Sequence, residues 1–432
     1  MFPLNGGREQ LGRNDCSSPK RHIRRRLLRS PVYDQGEKTV IDMEEKVVKS
    51  IQRVEKWVED HDYKGYEPFD GLSSILRPLT FHHLLAERLL LQLVRQSPVN
   101  LRPFLGVRPQ ESTKGRGYMA WGYLKMLNLT GDQQYRDKSV RCLEWLIENK
   151  APGYSNHSWA NHFDMSGRRA RIPGFEPIIV WTSLIGQAFL DAYEALQEKE
   201  YLRIAASICN WILDLPREQT DSGACLSYVA WVQSSVHNSN MLGAAMLART
   251  ARFTGDAAAL EVAREAMEYS CSRQRSDGSW YYGEASDHHW IDCFHTGYNL
   301  DSLKCYIDNT EDWTFEENLS RGFRYFKGAF FEKSGRPKYY HSRVYPVDIQ
   351  CASQAIDTLA NFSGYDESSL ELSLRVAKWT IENMQDKGGH FHYRQYPLGI
   401  KAKAPMLHWG QATMYKALTH LLTKMCGCQE SC

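Results

Sequence analysis

A pair of helices recurs along this chain at a spacing of roughly 55 to 63 residues, a period that belongs to stacked helical arrays. Each copy reads as a helix rich in small residues, a tight turn, an amphipathic helix, and a long loop crowded with aromatic and His residues. The turns Thr130-Gly131-Asp132 and Thr254-Gly255-Asp256 are near-identical, and Asn309-Thr310-Glu311-Asp312 and Ser363-Gly364-Tyr365-Asp366 are looser versions. Gly just past a helix supplies the left-handed C′ conformation, and Asp then caps the free amides of the next helix. One such hairpin cannot bury its own apolar face, so neighbours must stack against each other.

The periodicity predicts an opening helix over 41–59, a loop over 60–79 and a helix over 80–97. Hairpins follow over 116–149, 181–215, 238–273, 295–331 and 349–385, then a last single helix over 408–424. Five hairpins plus a pair made from the first and last helices give six, the number that closes a ring. The expected fold is all-α, an (α/α)6 toroid, with small-residue helices such as the one holding Gly243-Ala244-Ala245 inside and the charged ones outside. The expected organisation is a disordered basic tail over 1–40, the toroid over 41–425 and a short Cys-containing tail over 426–432.

Residues 1–30 hold eight Lys/Arg against two Asp/Glu, whereas the whole chain is only +2. The basic character therefore belongs to the tail, which could touch anionic surfaces, and the body has no nucleic-acid footprint. No apolar run is long enough to span a membrane, and no apolar leader opens the chain. Eleven scattered cysteines, an odd number, point to reduced thiols and a cytoplasmic location.

All the long loops leave the same end of such a ring, and a rigid scaffold with loops gathered at one mouth is where sites are built. The richest loop runs Asp287-His288-His289-Trp290-Ile291-Asp292-Cys293-Phe294-His295. Carboxylates beside imidazoles at a helix start suit acid/base chemistry. His288, Asp292 and His295 have a spacing that a metal could use, but the helix starts near Asp292 and leaves His288 on the loop, so no metal or cofactor is expected. Other loops hold His157, His162 and Asp164, then Tyr340, His341, Arg343 and Asp348, then His392, Arg394, His408 and Trp409; Asp70 sits near the start.

Aromatic platforms with Arg, His and carboxylates suit sugars, uronates included. Hydrolysis needs two carboxylates across the bond, so Asp292 and Asp348 rank first, with Asp164 and Asp70 behind them. For a lyase or epimerase a Tyr/His pair is needed, which selects His295, Tyr298 or Tyr340. Asp287, His288, Trp290, Tyr298, Tyr340, His341, Arg343, His157, His162, His392, Arg394, His408 and Trp409 are the expected substrate contacts. Trp280 reads as a plug between helices.

Hairpins of the form Gly117-Tyr118…Tyr123…Thr130-Gly131-Asp132…Tyr135 resemble those of the six-hairpin glycosidase-like superfamily, which includes unsaturated glucuronyl hydrolases and sugar 2-epimerases. The strings Phe69-Asp70-Gly71-Leu72-Ser73-Ser74, Ser97-Pro98-Val99-Asn100-Leu101-Arg102-Pro103, Asp277-Gly278-Ser279-Trp280-Tyr281-Tyr282-Gly283 and Trp379-Thr380-Ile381-Glu382-Asn383-Met384-Gln385 resemble a prokaryotic family found with capsule and exopolysaccharide biosynthesis genes. The resemblance covers about residues 60–425. It implies a toroid and a polysaccharide setting, and supplies no catalytic residue. Some relatives carry the label delta-aminolevulinic acid dehydratase, a chemistry of β/α barrels with Schiff-base lysines that an all-helical pattern does not offer.

The expected function is therefore a hydrolase, lyase or epimerase acting on an oligosaccharide or polysaccharide. The alternative is a non-catalytic toroid that grips a glycan or a synthase partner. A third class, terpenoid cyclase or prenyltransferase, is suggested by Gln274…Gly278-Ser279-Trp280, which resembles a QxxxGxW repeat, but the chain lacks the DxDD acid motif.

Overall fold

The structure, a computed structural model, describes residues 35–167 and 170–429. The chain divides into two compact units, residues 1–40 and 41–432. Of the disordered basic tail expected over 1–40, residues 1–34 lie outside the described residues, and residues 35–40 are not loop but the opening of the helix Gln35–Asp60.

Thirteen α-helices are described. Helix α1 (Gln35–Asp60) opens the chain and α2 (Leu84–Gln96) follows. Then come the hairpins α3 (Thr113–Thr130) and α4 (Gln133–Glu148), α5 (Ile179–Leu196) and α6 (Lys199–Leu213), and α7 (His237–Thr254) and α8 (Ala257–Ser272). Helices α9 (Cys293–Thr310) and α10 (Glu316–Ala329), then α11 (Ile349–Asn361) and α12 (Ser368–Met384), complete the five hairpins, and α13 (Thr413–Gln429) is the last helix. Helix α13 runs five residues past its expected end at 424 and takes in Cys426, expected in a tail.

Helices α3, α5, α7, α9, α11 and α13 each pack on the next, and α13 returns to α3. The ring is closed. These inner helices are buried on nearly every side; α5, for example, buries Ile179 through Leu190 without a break. The outer helices bury one stripe only, as α6 does with Tyr201, Ile204, Ala205, Ile208, Cys209, Trp211 and Ile212. Helix α1 takes the sixth outer place. Its Glu55 pairs with Lys138 of α4 at 2.5 Å on one side, and on the other its Lys46 pairs with Glu382 of α12.

Turns from inner to outer helices follow the expected caps. Gly131 and Gly255 have φ of +69° and +72°, and Asp132 and Asp256 accept from Gln134 N and Ala259 N at 3.0 Å. The returning loops carry short antiparallel pairs: β1 (Met165–Ser166) with β2 (Arg171–Ile172), β3 (Arg217–Thr220) with β4 (Gly223–Leu226), and β5 (Val347–Asp348) with β6 (Arg394–Gln395) and β7 (Lys401–Ala402).

Helix α2 is an addition to the ring. It has a separate small core, Leu72, Leu90, Leu91 and Val94. Cys142, Cys209, Cys225, Cys271, Cys293, Cys305 and Cys351 form no disulfide, and no helix among the described residues is long and apolar enough to cross a membrane.

The Gln274…Trp280 motif is a structural staple. Gln274 Nε2 donates to Gly278 O and to Asn318 O of α10, both at 2.9 Å, tying the loop to the next outer helix. Trp280 fills the gap as expected. It is 2% exposed, its Nε1 donates to Ser270 O at 2.8 Å, and its ring covers Gly322, where a Cβ would lie 2.7 Å away. Trp280→Ala is therefore expected to lower unfolding free energy by about 3–5 kcal/mol, read from denaturant titration.

Candidate active site

The mouth on the long-loop side opens into a cavity of about 1020 Å³. Its wall and floor come from the first turns of inner helices and from the loops that lead into them; α2 supplies one side.

The best-defined chemical group is built at the start of α9. Asp292 is the N-cap: its Oδ1 accepts from His295 N at 3.0 Å, and its Oδ2 accepts from His295 Nδ1 at 2.7 Å and from Trp290 Nε1 at 3.0 Å. The imidazole lies between Phe294, 3.9 Å between centroids, and Tyr282, 4.6 Å away. Tyr282 is itself stacked on Trp290 at 4.4 Å. With Nδ1 held by a carboxylate, the tautomer is set and Nε2 is the ring nitrogen left for the cavity.

One helical turn further, Tyr298 forms the floor. Its hydroxyl accepts from Gln350 Nε2 at 2.9 Å and from Lys114 Nζ at 3.3 Å, and meets Tyr118 Oη at 3.2 Å. Burial holds the Tyr298 phenol well above its ordinary range, so it stays protonated. Lys114 Nζ lies 5.4–5.5 Å from the ring centroids of Trp181, Tyr118 and Tyr298. Surrounded by rings, its amine is pushed down by desolvation to about 7. Nearby, Asn238 Oδ1 is buried with no hydrogen-bond partner, an acceptor ready for a hydroxyl or amide of a ligand.

The rim is cationic. Arg88 and Arg95 reach in from α2, and Arg343 from the loop before α11. Arg95 is held over Phe69 at 4.5 Å and donates to Tyr393 Oη at 3.2 Å, while Arg343 lies over Tyr340 at 4.6 Å. Among the described residues, none that lines the cavity is Asp or Glu.

Of the residues singled out from sequence, His288, Trp290, His295, Tyr298, Tyr340, His341, Arg343 and Trp409 line the cavity, with Asp292 directly behind His295. Others lie elsewhere. Asp348 is fully buried, accepting from Arg394 Nε at 2.6 Å, Trp409 Nε1 at 2.8 Å and Gln350 N at 3.0 Å, so it and Arg394 support the wall from behind. Asp70 is locked to Arg102 Nε at 2.7 Å, its carboxyl raised by burial to about 6. Asp164 caps Gly174 N at 2.8 Å and pairs with Arg77. His157 is tied to Ser207, His162 lines a separate cavity with Glu111 and Trp145, His392 lies beside His390, and His408 is buried against Glu67. Asp287 stays on the 3-10 turn Ser286–His288, outside the cavity lining.

Sequence reasoning passed over Lys114, Trp181, Asn238 and Tyr282, together with Arg88 and Arg95. The first three occupy the opening turns of inner helices, the same position that picked out Asp292, so applying that rule to every repeat would have found them. Among the described residues, no group of three or more His, Cys, Asp or Glu is placed to hold a metal ion; Asp292 and His295 bond each other instead.

The chain folds as an (α/α)6 toroid. Solved structures with the same architecture include the cellobiose 2-epimerase of Bacillus thermoamylovorans, with a TM-score of 0.57 and 11% identity over 73% of this chain and 87% of that one. The GH76 α-mannanase of Bacteroides thetaiotaomicron has a TM-score of 0.56 and 12% identity over 74% and 87%. An inactive α-1,6-mannanase of Salegentibacter, bound to α-1,6-mannotriose, has 0.54 and 12% over 74% and 90%. At these identities the likeness is one of fold. No family model matches the chain, and no curated protein matches it in sequence.

The depressed Lys114 amine makes a signed prediction. Between about pH 7 and the ordinary lysine value of 10.5, the unfolded chain holds this proton and the folded chain does not, so folded stability rises with pH. Below about 7 both states are protonated and that gain is lost. The stability of wild type relative to Lys114→Met is therefore expected to improve from pH 7 upward, measured by denaturant unfolding at a series of pH values. A difference that stays flat across the window would contradict the desolvated amine.

Proposed function

We propose that the cavity is the active site of a saccharide-modifying enzyme that moves a proton at carbon, as an epimerase or a uronate lyase does. One observation carries this: the cavity offers a carboxylate-backed histidine and a protonated tyrosine, but no carboxylate among its described lining residues. Classical glycoside hydrolysis asks for two carboxylates flanking the scissile bond. In the inactive Salegentibacter mannanase, two aspartates adjacent in sequence are replaced by asparagine; this chain has no two consecutive aspartates. The toroid of a cellobiose 2-epimerase is among the similar structures, which favours the same reading.

In this scheme His295 Nε2 takes the proton next to a carbonyl or carboxylate, and Asp292 stabilises the imidazolium that forms. Tyr298, joined to the Lys114 amine, supplies or accepts the second proton on the floor side. The arginines of the rim suit an acidic sugar, because guanidinium pairs with carboxylate in a fixed fork. Trp409, Trp290 and Tyr340 offer faces for sugar rings. Polysaccharide biosynthesis or modification is the setting that the sequence resemblance supports.

The test is exchange in deuterated water with uronate-containing and neutral oligosaccharides, followed by mass spectrometry and proton NMR. Carbon-bound deuterium in recovered sugar, or an unsaturated product, is expected. His295→Gln is expected to lower kcat by about 10²–10⁴-fold with KM nearly unchanged. Addition of water across a glycosidic bond, or saturable binding with no exchange, would overturn the proposal in favour of a hydrolase or a glycan-binding toroid.

A further inference from the structure

The strongest feature that the catalytic reading does not use is the outer surface of α2. The helix has three faces. Glu87, Leu90, Leu91 and Val94 point into the molecule, and Arg88, Gln92, Arg95 and Gln96 line the cavity. The third face carries Leu85, Leu89 and Leu93, at i, i+4 and i+8, all more than half exposed. Phe81, just before the helix, is 84% exposed. At the other end the loop that follows β6 packs against α2, where Tyr396 Oη donates to Gln96 O at 2.8 Å. The tip of that loop, Leu398, is 97% exposed in a left-handed conformation with φ of +59°, and Ile400 beside it is half exposed. Exposed apolar surface of this extent, at the mouth of a cavity, marks an interaction face.

The charge around it has one sign. Residues 71–110 contain five arginines and a single acid, Glu87, whose side chain is fully buried against Ser166 and Arg171. Arg77 and Arg102 are paired with Asp164 and Asp70. Arg108, and Lys403 near the Leu398 tip, are exposed and make no ion pair among the described residues, while Arg88 lines the cavity rim and Lys401 donates to Asn383 O. A second copy of the same face would bring like charges together. An anionic bilayer complements them and also accepts separate protruding apolar tips, which a flat protein partner does not.

We infer that the mouth face docks on an anionic lipid surface, with the leucine stripe of α2 and the Leu398–Ile400 tip sunk into the headgroup layer and the exposed Arg108 and Lys403 on lipid phosphates. At 13 residues α2 is about 20 Å long and too short to span a bilayer, so it lies in the plane of the interface. Docked this way, the cavity opens toward saccharides carried on lipids. That consequence rests on the proposed chemistry, whereas lipid binding itself does not.

The experiment is sedimentation of the full chain with vesicles of pure phosphatidylcholine and of phosphatidylcholine mixed with phosphatidylglycerol. The full chain keeps the basic N-terminal segment constant. Wild type is expected to pellet with the anionic vesicles and to be released by salt. The triple variant Leu85→Glu, Leu89→Glu, Leu93→Glu is expected to lose binding by about tenfold or more. Leu398→Asp, on a separate loop, is expected to weaken it in the same direction and keeps the test open if the triple variant misfolds. Equal binding by wild type and both variants would assign the effect to residues 1–30 and overturn the inference. So would absence of binding by wild type, or light scattering that shows a dimer which the leucine substitutions turn into a monomer. Loss of sugar chemistry with vesicle binding intact would count against the proposed function only.

Discussion

Six helices can surround one axis only where their facing surfaces are small, and every other feature of this toroid follows from that close approach. A Cβ at Gly186 of α5 would lie 2.5 Å from the Met246 sulfur of α7, one at Gly297 of α9 would lie 2.8 Å from Gln354 of α11, and one at Gly122 of α3 would meet the Tyr415 ring of α13 at 2.5 Å. Contacts this short leave no room for a methyl group, so the helix axes come together and the ring closes. Closure in turn directs every returning loop to one end, and the first turn of each inner helix then points at a common mouth.

That arrangement accounts for the concentration of chemistry at helix starts. An N-cap carboxylate is already held by backbone amides, so it can orient a side chain three residues on with little added ordering. Asp292 and His295 use this geometry. Asp348 uses the same cap but turns its second oxygen to Arg394, and becomes a brace for the cavity wall. Two equivalent positions in two repeats thus take different roles, and the difference lies in whether a cation is buried behind the cap.

The cavity's electrostatics come from what is absent as much as from what is present. With no carboxylate among the cavity's described lining residues, only Glu67 acts against the desolvation of Lys114 and does not outweigh it, and Arg88, Arg95 and Arg343 set the sign of the field. Helix α2 contributes to both the cavity and the outer surface while adding only a four-residue core. Its sequence is explained by what it faces, and little by the stability of the ring.

Local rules carried the reading a long way. The Thr-Gly-Asp turns, the helix stripes and the alternation of small and charged helices depend on neighbours within a turn or two, so periodicity and capping chemistry were enough to predict six pairs and one loop-bearing end. The Asp292–His295 pair was visible for the same reason, being three residues apart. Asp70, Asp164 and Asp348 looked equivalent to Asp292 in sequence. Only the fold places Arg102, Arg77 and Arg394 beside them, from distant segments, and so removes them from the cavity. Lys114 gave no local signal, because its environment is made by Trp181, Tyr118 and Tyr298 from three helices. The sequence by itself determined the hairpins, their number and the end where the loops gather. The tertiary structure decided which caps face the cavity, which amine is desolvated and which leucines stay outside, since burial and counter-ion contact arise only when remote parts of the chain meet.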